Sequence, residues 1–222
     1  MAPPKPLPFI LAIVLPILFA LGLTPLLSAV SNPNDNINRL EIWVASLDSP
    51  TSAITFAFNS AVNTILNGPS LPIPKLVLKT GLSADDLYHA VHHGDAWATI
   101  YVNPNAYNNL YQAIGSASQG ISTSYKGSSA ITFLWDEARN NIASQRVAGF
   151  SRQFINTFTA TFAKLALTNI NNATIVDNIV HTQPELLLSP LSFTETNIAP
   201  FDVPIVSTAQ LIGNILMMVS IE

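Results

Sequence analysis

The sequence predicts an α/β domain, with α+β as its variant, held outside the cytoplasm behind an N-terminal transmembrane helix. Three observations predict this. Residues 7–30 contain no charged side chain. Strand-like and helix-like stretches alternate between residues 31 and 204. A second uncharged apolar run fills residues 205–221, just before Glu222.

The first run is 24 residues long. At about 1.5 Å per residue a helix of that length reaches roughly 36 Å, more than a hydrocarbon core of about 30 Å. Pro8 opens it, and Pro16 and Pro25 are kinks that membrane helices tolerate. The rival is a cleaved signal peptide, whose apolar core usually has about 7–15 residues and a small-residue cleavage site. The run is too long and residues 28–31 fit that site poorly, so a retained anchor is expected. Lys5 is the one charge before it and Arg39 the first base after it. The positive-inside tendency puts residues 1–6 in the cytoplasm and residues 31–204 outside it. The plasma membrane is the expected location. The sequon Asn172-Ala173-Thr174 makes Asn172 a candidate glycosylation site on that side. Residues 205–222 are either the start of a second membrane helix or a terminal core helix. Gln210 and Asn214 dilute that run. The chain is single-pass on one reading and a truncated multi-pass protein on the other. The lipid bilayer is the first expected partner, then a membrane protein or a second copy of the chain.

Within the domain each element has its own signal. Residues 40–47 (LEIWVASL) read as a strand and 52–66 as a helix. Residues 75–79 (KLVLK) read as a strand. Residues 83–93 read as a helix opened by a capping box, Ser83 with Asp86, and stopped by Gly94. Residues 97–102 (WATIYV) are β-branched and aromatic, hence a strand. Asn103-Pro104-Asn105 then turns into a short helix ending near Ile114, and the Ser/Gly-rich residues 115–129 read as a loop. The longest helix is expected to start near Leu134. Ile142, Val147, Phe150, Phe154, Phe158, Phe162 and Leu165 recur along it at helical spacing, as a core-facing side. Residues 184–204, punctuated by Pro, read as an extended return towards the membrane.

Composition excludes several functions. Charged residues are 10% of the chain and form no basic block, which argues against nucleic acid as a partner. With no cysteine there is no disulfide, thiolate metal site or cysteine nucleophile. His89, His92 and His93 share one side of a helix with Asp95 close by, a spacing zinc could use. Histidines at a helix C-terminus also suit the dipole and a solvent face, so no metal is assigned. Ser118-Gln119-Gly120 lacks the Gly at position 116 that a nucleophile elbow needs. The adjacent acids Asp85–Asp86 and Asp136–Glu137 read as helix openers. No catalytic residue or cofactor is assigned; a membrane-anchored or secreted hydrolase is the alternative.

Residues 91–114 (VHHGDAWATIYVNPNAYNNLYQAI) carry a family resemblance. They are similar to the fungal nitrosoguanidine-resistance proteins, membrane proteins with a DUF3533-like domain of unknown function. In this sequence the shared positions are Gly94, Trp97, Ala98, Ile100, Asn103, Pro104, Asn105, Ala106 and Leu110. Residues 44–48 resemble the family's first strand, closing on Asp48. Tyr125 and residues 133–140 (FLWDEARN), with Arg139, resemble a further stretch, and residues 189–190 and 197–204 its Pro-rich return. The resemblance implies a first span, a large non-cytoplasmic domain and several later spans. It also implies distant similarity to phage-infection proteins and to the membrane parts of ABC-2 exporters. The implied role is resistance to toxic compounds through export or membrane organisation, with the outer domain serving assembly or recognition. This chain stops before those later spans, so no transport residue is carried over. The motif residues Asp48, Gly94, Trp97, Asn103, Pro104, Asn105, Ala106 and Arg139 are read as structural. Trp97 is expected in the core, and Asn103 or Asn105 at a helix cap.

Overall fold

Five strands and six helices are present among residues 37–68, 73–169 and 173–200, which the computed structural model describes. The expected anchor at 7–30, the run at 205–222 and Asn172 of the sequon lie outside these residues. In chain order the elements are β1 (Glu41–Ser46), α1 (Ala53–Leu66), β2 (Lys75–Lys79), α2 (Ala84–His92), β3 (Ala98–Val102) and α3 (Ala106–Ser118). There follow β4 (Ile131–Trp135), α4 (Asn141–Asn169), α5 (Ala173–Thr182), α6 (Glu185–Leu188) and β5 (Phe193–Asn197). Among the described residues no helix is long and apolar enough to cross a membrane.

The strands form one mixed sheet in the order β2-β1-β3-β4-β5. β1 lies parallel to β2 and β3, β3 antiparallel to β4, and β4 parallel to β5. One face carries the main core. Ile42, Val44, Ile100 and Phe133 pack there with Ile54, Phe58 and Val62 of α1, Leu110 of α3 and Ile155 of α4. The other face holds a smaller cluster, in which Leu87 and Val91 of α2 meet Ala45, Tyr101 and Leu134.

Local chemistry accounts for most boundaries. Ser52 caps α1 by accepting from Thr55 N. The capping box of α2 is complete: Ser83 Oγ accepts from Asp86 N, and Asp86 Oδ2 accepts from Ser83 N at 2.8 Å. The bond from Ser83 N, and after it the one that Ser83 Oγ donates to Asp86 Oδ2, hold the Asp86 carboxyl below its ordinary pKa. Gly94 ends that segment at φ +84°, a conformation that favours glycine.

The second half departs from the sequence expectation. The longest helix starts at Asn141, and residues 131–135 form a strand whose aromatic and β-branched side chains are mostly buried. Between them Asp136 Oδ1 accepts from Ala138 N and Arg139 N, an Asx turn that breaks the chain. Asn140 Oδ1 then accepts from Ala143 N and starts α4. Asp136 and Glu137 thus belong to a turn and do not open a helix. α3 runs four residues past Ile114, so the expected loop is shorter. The expected extended return contains the one-turn helix α6 and the edge strand β5. On α4, Val147, Phe154, Phe158 and Phe162 are buried as expected, whereas Ile142 is exposed.

Strand directions decide where the described chain enters and leaves the sheet. β1 begins at Glu41, beside Lys75 and the start of β3. Because β4 reverses, its last residue Trp135 pairs with Ala98, and β5 ends beside it at Asn197. The leading turn Ile37–Arg39 and the trailing residues 198–200 therefore lie at one end of the sheet, termed here the lower end. β1 and β5 are three strand steps apart, roughly 14 Å at the usual spacing.

Tyr125 fastens the return to β5. Its hydroxyl donates to Pro190 O at 2.7 Å, while Gln183 bonds to Tyr125 O and to Thr123. Burial pushes the Tyr125 phenol up to about 12. The folded state therefore holds this proton more tightly than the unfolded chain, whose tyrosines titrate near 10. Stability from this group is constant below about pH 10 and falls as pH rises towards about 12. Alkaline denaturation monitored by circular dichroism should show that loss, and Tyr125→Phe should flatten the slope between those pH values.

Candidate functional site

The residues singled out in the sequence fall into two groups, at opposite ends of β3. At the lower end Arg139 lies over the ring of Trp97, 4.1 Å from its centroid. Arg139 Nη1 donates to Ala96 O at 3.3 Å. A Cβ at Gly94 would sit 3.5 Å from the same guanidinium. Trp97 is half-buried and packs on the margin of the main core, so the expectation of a core tryptophan needs correction. One ring face is given to the Arg139 guanidinium.

At the upper end the turn after β3 is held across the chain. Asn103 Nδ2 donates to Ser129 O, and Asn103 Oδ1 accepts from Thr132 Oγ1. Asn105 occupies the cap position of α3 at φ 60°, with no side-chain cap bond. The expected Asn cap is thus absent. Its place is taken by Asp48, buried at the end of the β1 segment, whose Oδ2 accepts from Tyr107 N at 3.2 Å. A carboxylate at a helix N-terminus is favourable for the dipole as well as for the free N–H. Pro104 is exposed in the turn and Ala106 is buried beneath it. The histidines of α2 are exposed, with His89 stacked on His93 and His92 on Tyr88. Among the described residues no group of three or more His, Cys, Asp or Glu is placed to hold a metal.

A concave feature with the dimensions of a binding site lies elsewhere. α1 and α4 meet through Phe58, whose ring contacts Phe154 and Phe158 edge-on at centroid distances of 5.9 and 5.4 Å. Beside this contact the helices leave a groove of about 670 Å³. That is within the usual range for small-molecule sites, about 300–1,000 Å³. Phe56, Ile65, Phe150, Phe154, Phe158 and Phe162 supply most of its wall, and Phe56 is 76% exposed. The described lining contains no charged residue. The phenylalanine row of α4 is legible in the sequence as a core stripe. Its second use as a groove wall is not, because α1 lies about 90 residues earlier and only the fold joins them.

Comparison with known proteins adds the following. The family described as "Protein of unknown function (DUF3533)" matches residues 11–220. No curated protein matches the chain at a significant level. One solved structure with similarity is a domain assigned to an ABC type-2 transporter of Thermotoga maritima MSB8. It is 13% identical, with 78% of this chain and 99% of that one covered and a TM-score of 0.42.

The Trp97–Arg139 stack can be measured. For the half-buried ring, Trp97→Ala should cost about 2 kcal/mol, below the ~3–5 of an enclosed aromatic. A double-mutant cycle with Arg139→Ala, read by chemical denaturation, should give a coupling of about 0.5–1 kcal/mol. Additive losses would show that the stack contributes nothing.

Proposed function

The chain belongs to the DUF3533 family, and from that premise we propose a membrane-tethered, transport-related protein whose α/β domain serves assembly or recognition outside the cytoplasm. The observation that carries this reading is the shared lower end. Residues 37–39 and 198–200 leave the sheet there, and each continues in sequence towards an uncharged apolar run, at 7–30 and at 205–221. A domain built this way stands on a bilayer with both connections beneath it. The positive-inside tendency of Lys5 supports the outer location. The segment around Asn103–Ala106, similar to that of nitrosoguanidine-resistance proteins, supports a role in tolerance of toxic compounds, with the domain as a recognition or assembly part. The motif residues Asp48, Asn103 and Arg139 spend their polar side chains on internal bonds, which favours a binding module over a hydrolase.

Because the chain has no native cysteine, single-cysteine variants report one position each. In proteoliposomes, fluorophores at Arg39→Cys and Pro200→Cys should be quenched by lipid-borne quenchers, and one at Ser49→Cys, beyond the upper end, should not. Alkaline carbonate should leave the protein in the membrane pellet. Release into the supernatant, or equal quenching at all three positions, would overturn the reading.

A further inference from the structure

We infer that the α1–α4 groove holds an acyl chain of a bilayer lipid, taken up from the lower end of the domain. The inference rests on the membrane-tethered reading above and gives that domain a ligand class.

The chemistry of the wall selects the ligand. The described lining has no charged side chain, so a buried carboxylate, phosphate or ammonium would have no counter-charge there. The threonines look like hydrogen-bonding groups, but their donors are already used. Thr64 Oγ1 donates to Ser60 O at 2.8 Å, Thr157 Oγ1 to Gln153 O at 2.9 Å, and Thr161 Oγ1 to Thr157 O at 2.8 Å. Each hydroxyl proton turns back onto its own helix. Sites for polar small molecules carry a few convergent donors and acceptors to fix orientation, and beyond these threonines the described lining adds only the Ser60 hydroxyl and the Gln153 amide as polar side chains. An aliphatic chain asks for none.

Shape and position agree. Along α1 the groove extends from Phe56 to Gly68, about 18 Å at helical rise. α1 follows the upper end of β1 and runs back to the start of β2, so Gly68 and Ile73 mark the lower end of the groove. That is the end at which residues 37–39 and 198–200 leave the sheet. A lipid tail can enter there while its headgroup stays at the bilayer surface, outside the uncharged wall.

The test uses the full chain in phosphatidylcholine vesicles containing a phospholipid with a photoreactive diazirine at the end of one acyl chain. After irradiation, mass spectrometry should find lipid adducts on α1 and α4 between residues 56–65 and 150–162. Ala61→Trp, which fills the groove from α1, and Thr157→Trp, which fills it from the exposed side of α4, should each lose that labelling. Thr157 is exposed on the surface of α4, so its substitution keeps the test valid if Ala61→Trp fails to fold. Adducts confined to residues 7–30 and 205–222 would overturn the lipid site while leaving the membrane reading intact. In a parallel sample, oxidative disulfide cross-linking of Thr157→Cys between two copies, with no lipid adduct on α1 or α4 of the parent chain, would overturn it in favour of a self-association surface. Protein that carbonate releases, with no adduct anywhere, would sink both readings together.

Discussion

All five residues of β3 are buried, and the rest of the structure depends on that constraint. A strand hidden on both faces needs a layer on each side. α1, α3 and α4 supply one, and α2 the other. It also needs neighbours on both edges to take its backbone groups, and β1 and β4 provide them. Its two ends are where the chain must turn out of the core. The family-like residues gather there: Gly94, Trp97 and Arg139 below, Asp48, Asn103 and Asn105 above. The distinctive sequence around β3 thus marks the places where the chain enters and leaves a closed interior.

The first half was legible because its signals are local. The bounds of β2 fall where the apolar run between two lysines predicts, and α2 opens on the capping box its spacing announces. The second half depends on contacts far apart in sequence. ITFLW runs on into an aromatic helical stripe, and only the Asx turn at Asp136 separates a strand from a helix. FTETN is polar enough to pass for a linker. It is a strand because β4 offers it an edge, and its outward threonines suit an edge open to solvent. The cap of α3 shows the same limit. Local rules assign it to Asn103 or Asn105, yet the acceptor comes from Asp48, 59 residues away from Tyr107.

Of the candidate sites, the histidine cluster was the most conspicuous in the sequence, and the structure leaves it as an exposed row, His89 stacked on His93 and His92 edge-on to it. The groove was invisible there. Each wall is an ordinary amphipathic helix, and concavity arises only when Phe58 fixes one against the other. Threonines near phenylalanines suggest a mixed surface until their hydroxyls are seen to face their own backbone. Residue type alone misjudges the polarity of such a wall.

The reversal between β3 and β4 has one more consequence. With all strands parallel, a chain entering at one end of the sheet would leave it at the other. A single antiparallel step returns it to its own side, roughly 14 Å from where it began. Domains with neighbouring termini behave as cassettes: they can be set into a connecting loop, or removed from one, without rethreading the segments on either side. This fold is therefore portable, and different host proteins could carry it as an insert while keeping their own architecture.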